Sequence, residues 1–125
     1  MLARFREAEA AFEFTRQLVR IAIDQRHSGQ FHRTRQTVDR LLALGRIVVE
    51  RNPNDARAYL LLAEAFYQEQ KNAWRPTEDR PTIVLSLRRA IDAAQHAVEL
   101  APDDDLARHE LERLRRKLHD LLHPL

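Results

Sequence analysis

Asn52-Pro53-Asn54-Asp55-Ala56-Arg57 and Ala101-Pro102-Asp103-Asp104-Asp105-Leu106-Ala107-Arg108 are two copies of one turn signature. In each, a proline stands where a preceding helix must stop, an Asn or Asp follows that can cap the next helix, and an apolar pattern then begins. Two helices fit between the copies. The chain is therefore expected to be helical hairpins joined in series, and the residues between the two prolines say how each hairpin packs.

Tyr59, Leu62, Ala63 and Phe66, with Tyr67 beside the last, mark the first helix of that unit, and Ala90, Ala94 and Ala97 mark the second, with Pro102 closing it. These eight positions resemble the tetratricopeptide repeat, a helix-turn-helix unit of about 34 residues with a large aromatic, a Leu, a small residue and a Tyr on its first helix. Small residues at Ala63, Ala90 and Ala97 suit two helices that cross closely, and Ala63 is expected to face Ala97 there. The sequence departs from the family in two ways. Ala94 stands where a larger, often aromatic residue is usual. Pro53 and Pro102 are 49 residues apart, about 15 more than one repeat, which places an insertion after Gln70, in a turn spanning 71–81, with the remainder lengthening the start of the second helix.

Outward from this unit the patterns are less regular. Leu2 to about Arg26 reads as one helix with apolar residues at Phe5, Ala8, Phe12, Val19 and Ala22 and a second stripe at Ala11, Phe14, Leu18 and Ile21, which predicts two buried faces. Ser28-Gly29-Gln30 ends it, Gly29 suiting a left-handed cap. A second helix from about Arg33 to Arg51 is apolar almost all round and is expected to be central. Leu41 and Val48 occupy its small-residue positions, so 1–51 is a degenerate hairpin, 52–102 the clear repeat and 103–125 a C-terminal capping helix of a single domain. Asp103-Asp104-Asp105 favours the positive end of that last helix. Ala107, Leu111, Leu114, Leu118, Leu121 and Leu125 form one narrow stripe, which suits a terminal cap or the seam of a homodimer.

Composition limits the alternatives. The chain has 125 residues, 44% apolar and 32% charged, with two glycines and five prolines, too little punctuation for a sheet protein and suited to one all-α domain of about five antiparallel helices. The absence of cysteine removes disulfides and thiolate chemistry. No apolar run approaches the roughly 18 residues of a membrane span. Met1 to Glu13 carries three glutamates and matches neither a secretory signal nor a transit peptide, so a cytoplasmic bacterial protein is expected.

No glycine-rich phosphate loop, HExxH or nucleophile elbow occurs, so neither an enzyme nor a cofactor is expected. His119 and His123, one helical turn apart, supply only two metal ligands at a chain end and read as solvated side chains. His96 and His109 read as helix-surface residues, His27 and His32 as turn residues. Nineteen of the 21 basic residues are arginine, clustered at Arg33/Arg35/Arg40, Arg88/Arg89 and Arg113/Arg115/Arg116/Lys117. Interleaved acids and missing aromatic stacking positions argue against nucleic acid.

The tetratricopeptide resemblance implies protein binding in a concave groove lined by the first helix of each repeat. Carried onto this sequence, the groove positions are Arg57, Leu60, Glu64, Tyr67 and Gln68, then Leu106, His109, Arg113, Arg116 and Lys117 in the last helix. Arg57, Arg113, Arg116 and Lys117 are expected to converge there with only Glu64 opposing them, favouring an acidic peptide or a C-terminal carboxylate. Trp74, in the inserted turn, either folds back over the core or meets a partner.

Overall fold

The computed structural model describes residues 2–71 and 80–124, the side chains of 2–5 aside. Five helices follow one another: α1 Leu2–His27, α2 Phe31–Arg51, α3 Ala56–Lys71, α4 Arg80–Leu100 and α5 Asp105–Leu122. Successive helices pack antiparallel on one another, and α1 also packs on α3. The fold is all-α. Most of the inserted turn, Trp74, Phe5's side chain and Leu125 lie outside the described residues.

The two turn signatures fold alike. Asp55 Oδ1 accepts the Arg57 N–H at 3.0 Å, and Asp104 Oδ1 accepts the Leu106 N–H at 2.9 Å. Asn52 N–H donates to Val48 O and Ala101 N–H to Ala97 O, both at 2.9 Å. Ala58 and Ala107, five residues past their prolines, are both fully buried. The α1–α2 turn is different in kind. Gly29, at φ +76°, lets Gln30 N–H reach Gln25 O at 2.8 Å and its own N–H reach Arg26 O at 3.1 Å, closing α1 with paired bonds that an L side chain would strain.

The main core joins Leu18, Leu41, Leu42, Phe66, Leu87 and Leu114, so every helix contributes. A smaller cluster of Phe12, Val48 and Ala58 closes the end near the first turn signature. Ala63, Ala90 and Ala97 are all fully buried, so the small-residue positions do lie in the packed interior, and Ala94, where the family has a larger residue, is fully buried too. Their register differs from expectation, however. The Tyr59–His96 ring stack at 4.0 Å and the Ser86 Oγ to Glu69 Oε1 bond at 2.6 Å set α4 against α3 so that Ala97 lies level with Ala58, and Ala63 lies level with Asp92 between Ala90 and Ala94. Residue spacing alone did not reveal this register.

Three further expectations need correction. The second α1 stripe is only partly covered: Leu18 is buried, but Phe14 and Ile21 are 55% and 44% exposed, because α2 and α3 cover α1 from one side. On α2, Ile47 is exposed and Leu44 and Val49 are half-buried, so this helix is packed on the α1 and α3 sides rather than all round. Leu41 and Val48 fit because Gly45 supplies the close approach instead. A Cβ there would lie 3.3 Å from Leu62 Cδ1. His27 and His32, finally, belong to helix ends rather than to the turn.

Candidate functional site

The surface shared by α1, α3 and α5 carries the polar side chains that the resemblance singled out, and α3 supplies its spine. Its residues 57, 60, 64, 67, 68 and 71 follow the three- and four-residue spacing of one helix face. That face meets α1 on one side and α5 on the other.

On the α1 side, Arg57 donates to Asp55 Oδ2 at 2.9 Å and pairs with Glu9, and its guanidinium lies 4.5 Å from the Phe12 ring centroid. The bonds to Asp55 and Glu9 raise its pKa against the effect of burial. Arg57 is thus neutralised where it stands. A cleft of about 350 Å³ continues between α1 and α3, with Leu61 in it, Glu64 at one edge and Arg16 and Arg20 at the other.

Further along α3, the side chains interlock. Gln68 is 2% exposed; its Oε1 accepts from Arg26 Nη2 of α1, and its Nε2 donates to Glu64 Oε1 at 2.9 Å. Arg26 Nε is buried with no acceptor among the described residues. Burial lowers the Arg26 pKa, opposed by Tyr67 and Glu64. Burial likewise raises the Glu64 pKa; Gln68 opposes this, Glu110 adds to it, and Arg113 and Arg26 oppose it more weakly.

Tyr67 is the junction with α5. Its ring is 8% exposed, and its hydroxyl accepts from Lys117 Nζ at 2.9 Å. The Arg113 guanidinium lies 4.4 Å from the ring centroid, Lys117 Nζ 5.0 Å and Lys71 Nζ 5.6 Å. Arg113 is aimed by Glu110, to which it donates from Nη2 at 2.6 Å and from Nε at 3.2 Å, while its Nη2 stands 4.0 Å from Glu64 Oε2. That Glu110 contact raises the Arg113 pKa. Burial alone would raise the Tyr67 pKa, but the bonds from Lys117 and Arg113 and the charges of Lys117 and Lys71 outweigh it, so this phenol ionises more readily than usual.

Of the expected groove residues, Glu64, Tyr67, Gln68, Arg113 and Lys117 come together, with Leu60 half-buried on the same face. Arg57 does not join Arg113, since it is held by Glu9 and Asp55 near the other end of α3. Glu64 is not the only opposing charge, because Glu110 holds Arg113. His109 and Arg116 are exposed on α5 without ion pairs among the described residues, and Leu106 is 77% exposed. Trp74 lies outside the described residues. Sequence reasoning missed Glu9, Arg26, Lys71 and Glu110. Lys71 was detectable, one helical turn beyond Tyr67, whereas Glu9 and Arg26 depend on how α1 packs against α3.

The remaining candidates are separate from this surface. The His119 and His123 rings lie 4.6 Å apart, tilted by 36°, and no group of three or more His, Cys, Asp or Glu side chains suits a metal among the described residues. Of the leucine stripe of α5, Leu111 and Leu114 are buried, and Leu118 and Leu121 are packed on the core. No described helix is long and apolar enough to cross a membrane. Comparison with known proteins finds no matching family model, no matching curated protein and no matching solved structure.

Proposed function

We propose that this chain is a non-catalytic, tetratricopeptide-like adaptor or scaffold that binds a segment of a partner protein along the surface shared by α1, α3 and α5. The observation that carries the reading is the meeting of Tyr67 on α3 with Arg113 and Lys117 on α5, which joins two helices into one basic surface. A largely buried aromatic ringed by cations is a preorganised contact, of the Tyr and Arg type that contributes most at interfaces. The Lys71 and Lys117 charges favour an acidic segment, and salt should weaken its capture. Self-association through the α5 leucine stripe is the weaker reading, because Leu111, Leu114, Leu118 and Leu121 are packed in or against the core and would have to leave it to form a seam.

Retention of acidic and basic peptide pools on immobilised wild type and on the Arg113→Glu/Lys117→Glu variant tests the reading, with circular dichroism to verify helix content. Preferential retention of the acidic pool, lost in the variant, is expected. Equal retention of both pools by wild type would refute the acidic preference, and retention of neither would refute the groove.

A further inference from the structure

Tyr67, Lys71 and Lys117 form a smaller feature within this surface, with a charge pattern of its own. Glu110 meets Arg113 through two hydrogen bonds and neutralises it. Lys71 and Lys117, by contrast, have no carboxylate within ion-pair distance among the described residues, although both ammonium groups stand within 6 Å of the same ring centroid. The Tyr67 oxygen accepts from Lys117 Nζ, and its own proton has no acceptor among the described residues. Among the described residues, two ammonium groups without a carboxylate partner and one phenol O–H are therefore available to a ligand, all of them donors.

Resting on the groove reading above, we propose that this cluster is a seat for a phosphoryl dianion carried on a phosphorylated side chain of the partner segment. A phosphoryl group brings up to two negative charges and three acceptor oxygens, matching two ammonium groups and one hydroxyl, whereas a carboxylate brings one charge and two oxygens. Lysine ammonium groups act on phosphate as point charges, so the seat needs no planar fork. A nucleotide base finds no platform, because Tyr67 is 8% exposed and Arg113 stands 4.4 Å from its centroid. The buried ring fixes the hydroxyl, while Lys71 is exposed and half-buried Lys117 is held by that hydroxyl, so the seat opens to solvent.

Two arms distinguish free phosphate from a phosphorylated side chain. Inorganic phosphate, titrated against acetate at equal ionic strength and followed by amide NMR, should give saturable shifts at residues 67, 71 and 117 that acetate does not. A pool of phosphoserine and phosphothreonine peptides should be retained about tenfold more strongly than the same pool after dephosphorylation, and Lys71→Gln or Lys117→Gln should remove most of that ratio. Tyr67→Phe keeps the buried ring and should reduce the ratio with helix content unchanged. Equal retention of the two pools would overturn the phosphoryl seat while leaving the groove standing. Phosphate shifts with neither pool retained would assign the seat to free phosphate, overturning both the peptide source and the groove. Shifts no larger with phosphate than with acetate would overturn the seat itself.

Discussion

Replacing Gly45 tests the crossing of α2 on α3, which sets where Glu64 and Tyr67 stand. A Cβ at Gly45 would meet Leu62 Cδ1 at 3.3 Å, Leu62 Cα at 3.6 Å and Ala65 Cβ at 3.9 Å. Only the first contact is tight, and it involves the movable end of a side chain. Alanine therefore needs a shift of the Leu62 methyl and little else, while gaining about 1 kcal/mol of helix propensity over glycine. Gly45→Ala should melt within about 4 °C of wild type, in either direction. Leucine cannot be accommodated in this way, because the atoms beyond Cβ would press on the α3 backbone at Leu62 Cα. Overpacking of this kind costs about 1–3 kcal/mol, so Gly45→Leu should melt roughly 4–12 °C below Gly45→Ala. Thermal denaturation of the three proteins by circular dichroism decides the matter. Equal melting of the leucine and alanine variants would show that α2 and α3 do not approach closely at Gly45, and the α3 placement built on that crossing would fall with it.

Other predictions concern packing and charge. Ala97→Leu introduces three carbons at a fully buried position level with Ala58 and should cost about 1–3 kcal/mol; an unchanged melting temperature would contradict the α3/α4 register. Glu64 binds its proton more tightly folded than unfolded, so its contribution is most favourable below its ordinary pKa of 4.5 and declines as pH rises through the raised folded value. Wild type should therefore lose stability relative to Glu64→Gln across that rise, and parallel stability curves would reject buried desolvation as the cause. For Tyr67 the sign is opposite: ionisation below the ordinary value of 10.0 adds stability as pH rises through the lowered pKa. In a Tyr59→Phe background, phenolate absorbance should show Tyr67 titrating below that value and Lys117→Met moving it up; no movement would mean that Lys117 does not reach the hydroxyl.

Local patterns determined the helices, because stop signals and apolar spacing act over a few residues. Pro53 and Pro102, each followed by a capping aspartate, placed both turns, and Ala63, Ala90 and Ala97 were identifiable as the positions where bulk would not fit. The groove face was legible for the same reason, since Glu64, Tyr67 and Gln68 must share one side of α3 whatever surrounds them. Tertiary structure decided what lies opposite. Spacing could not show that Gly45, rather than Leu41 or Val48, would be the close contact on α2, because that depends on the crossing point with Leu62. Nor could spacing show that the Tyr59–His96 and Ser86–Glu69 contacts would set Ala97 level with Ala58. Arg57 and Arg113 look equivalent in the sequence, yet packing of α1 gives the first Glu9 and packing of α5 brings the second to Tyr67. The exposure of Phe14 and Ile21 likewise follows from helices covering only one side of α1. A helix's own residues state which of its faces are apolar, but the number of neighbours available to cover them is a property of the whole chain.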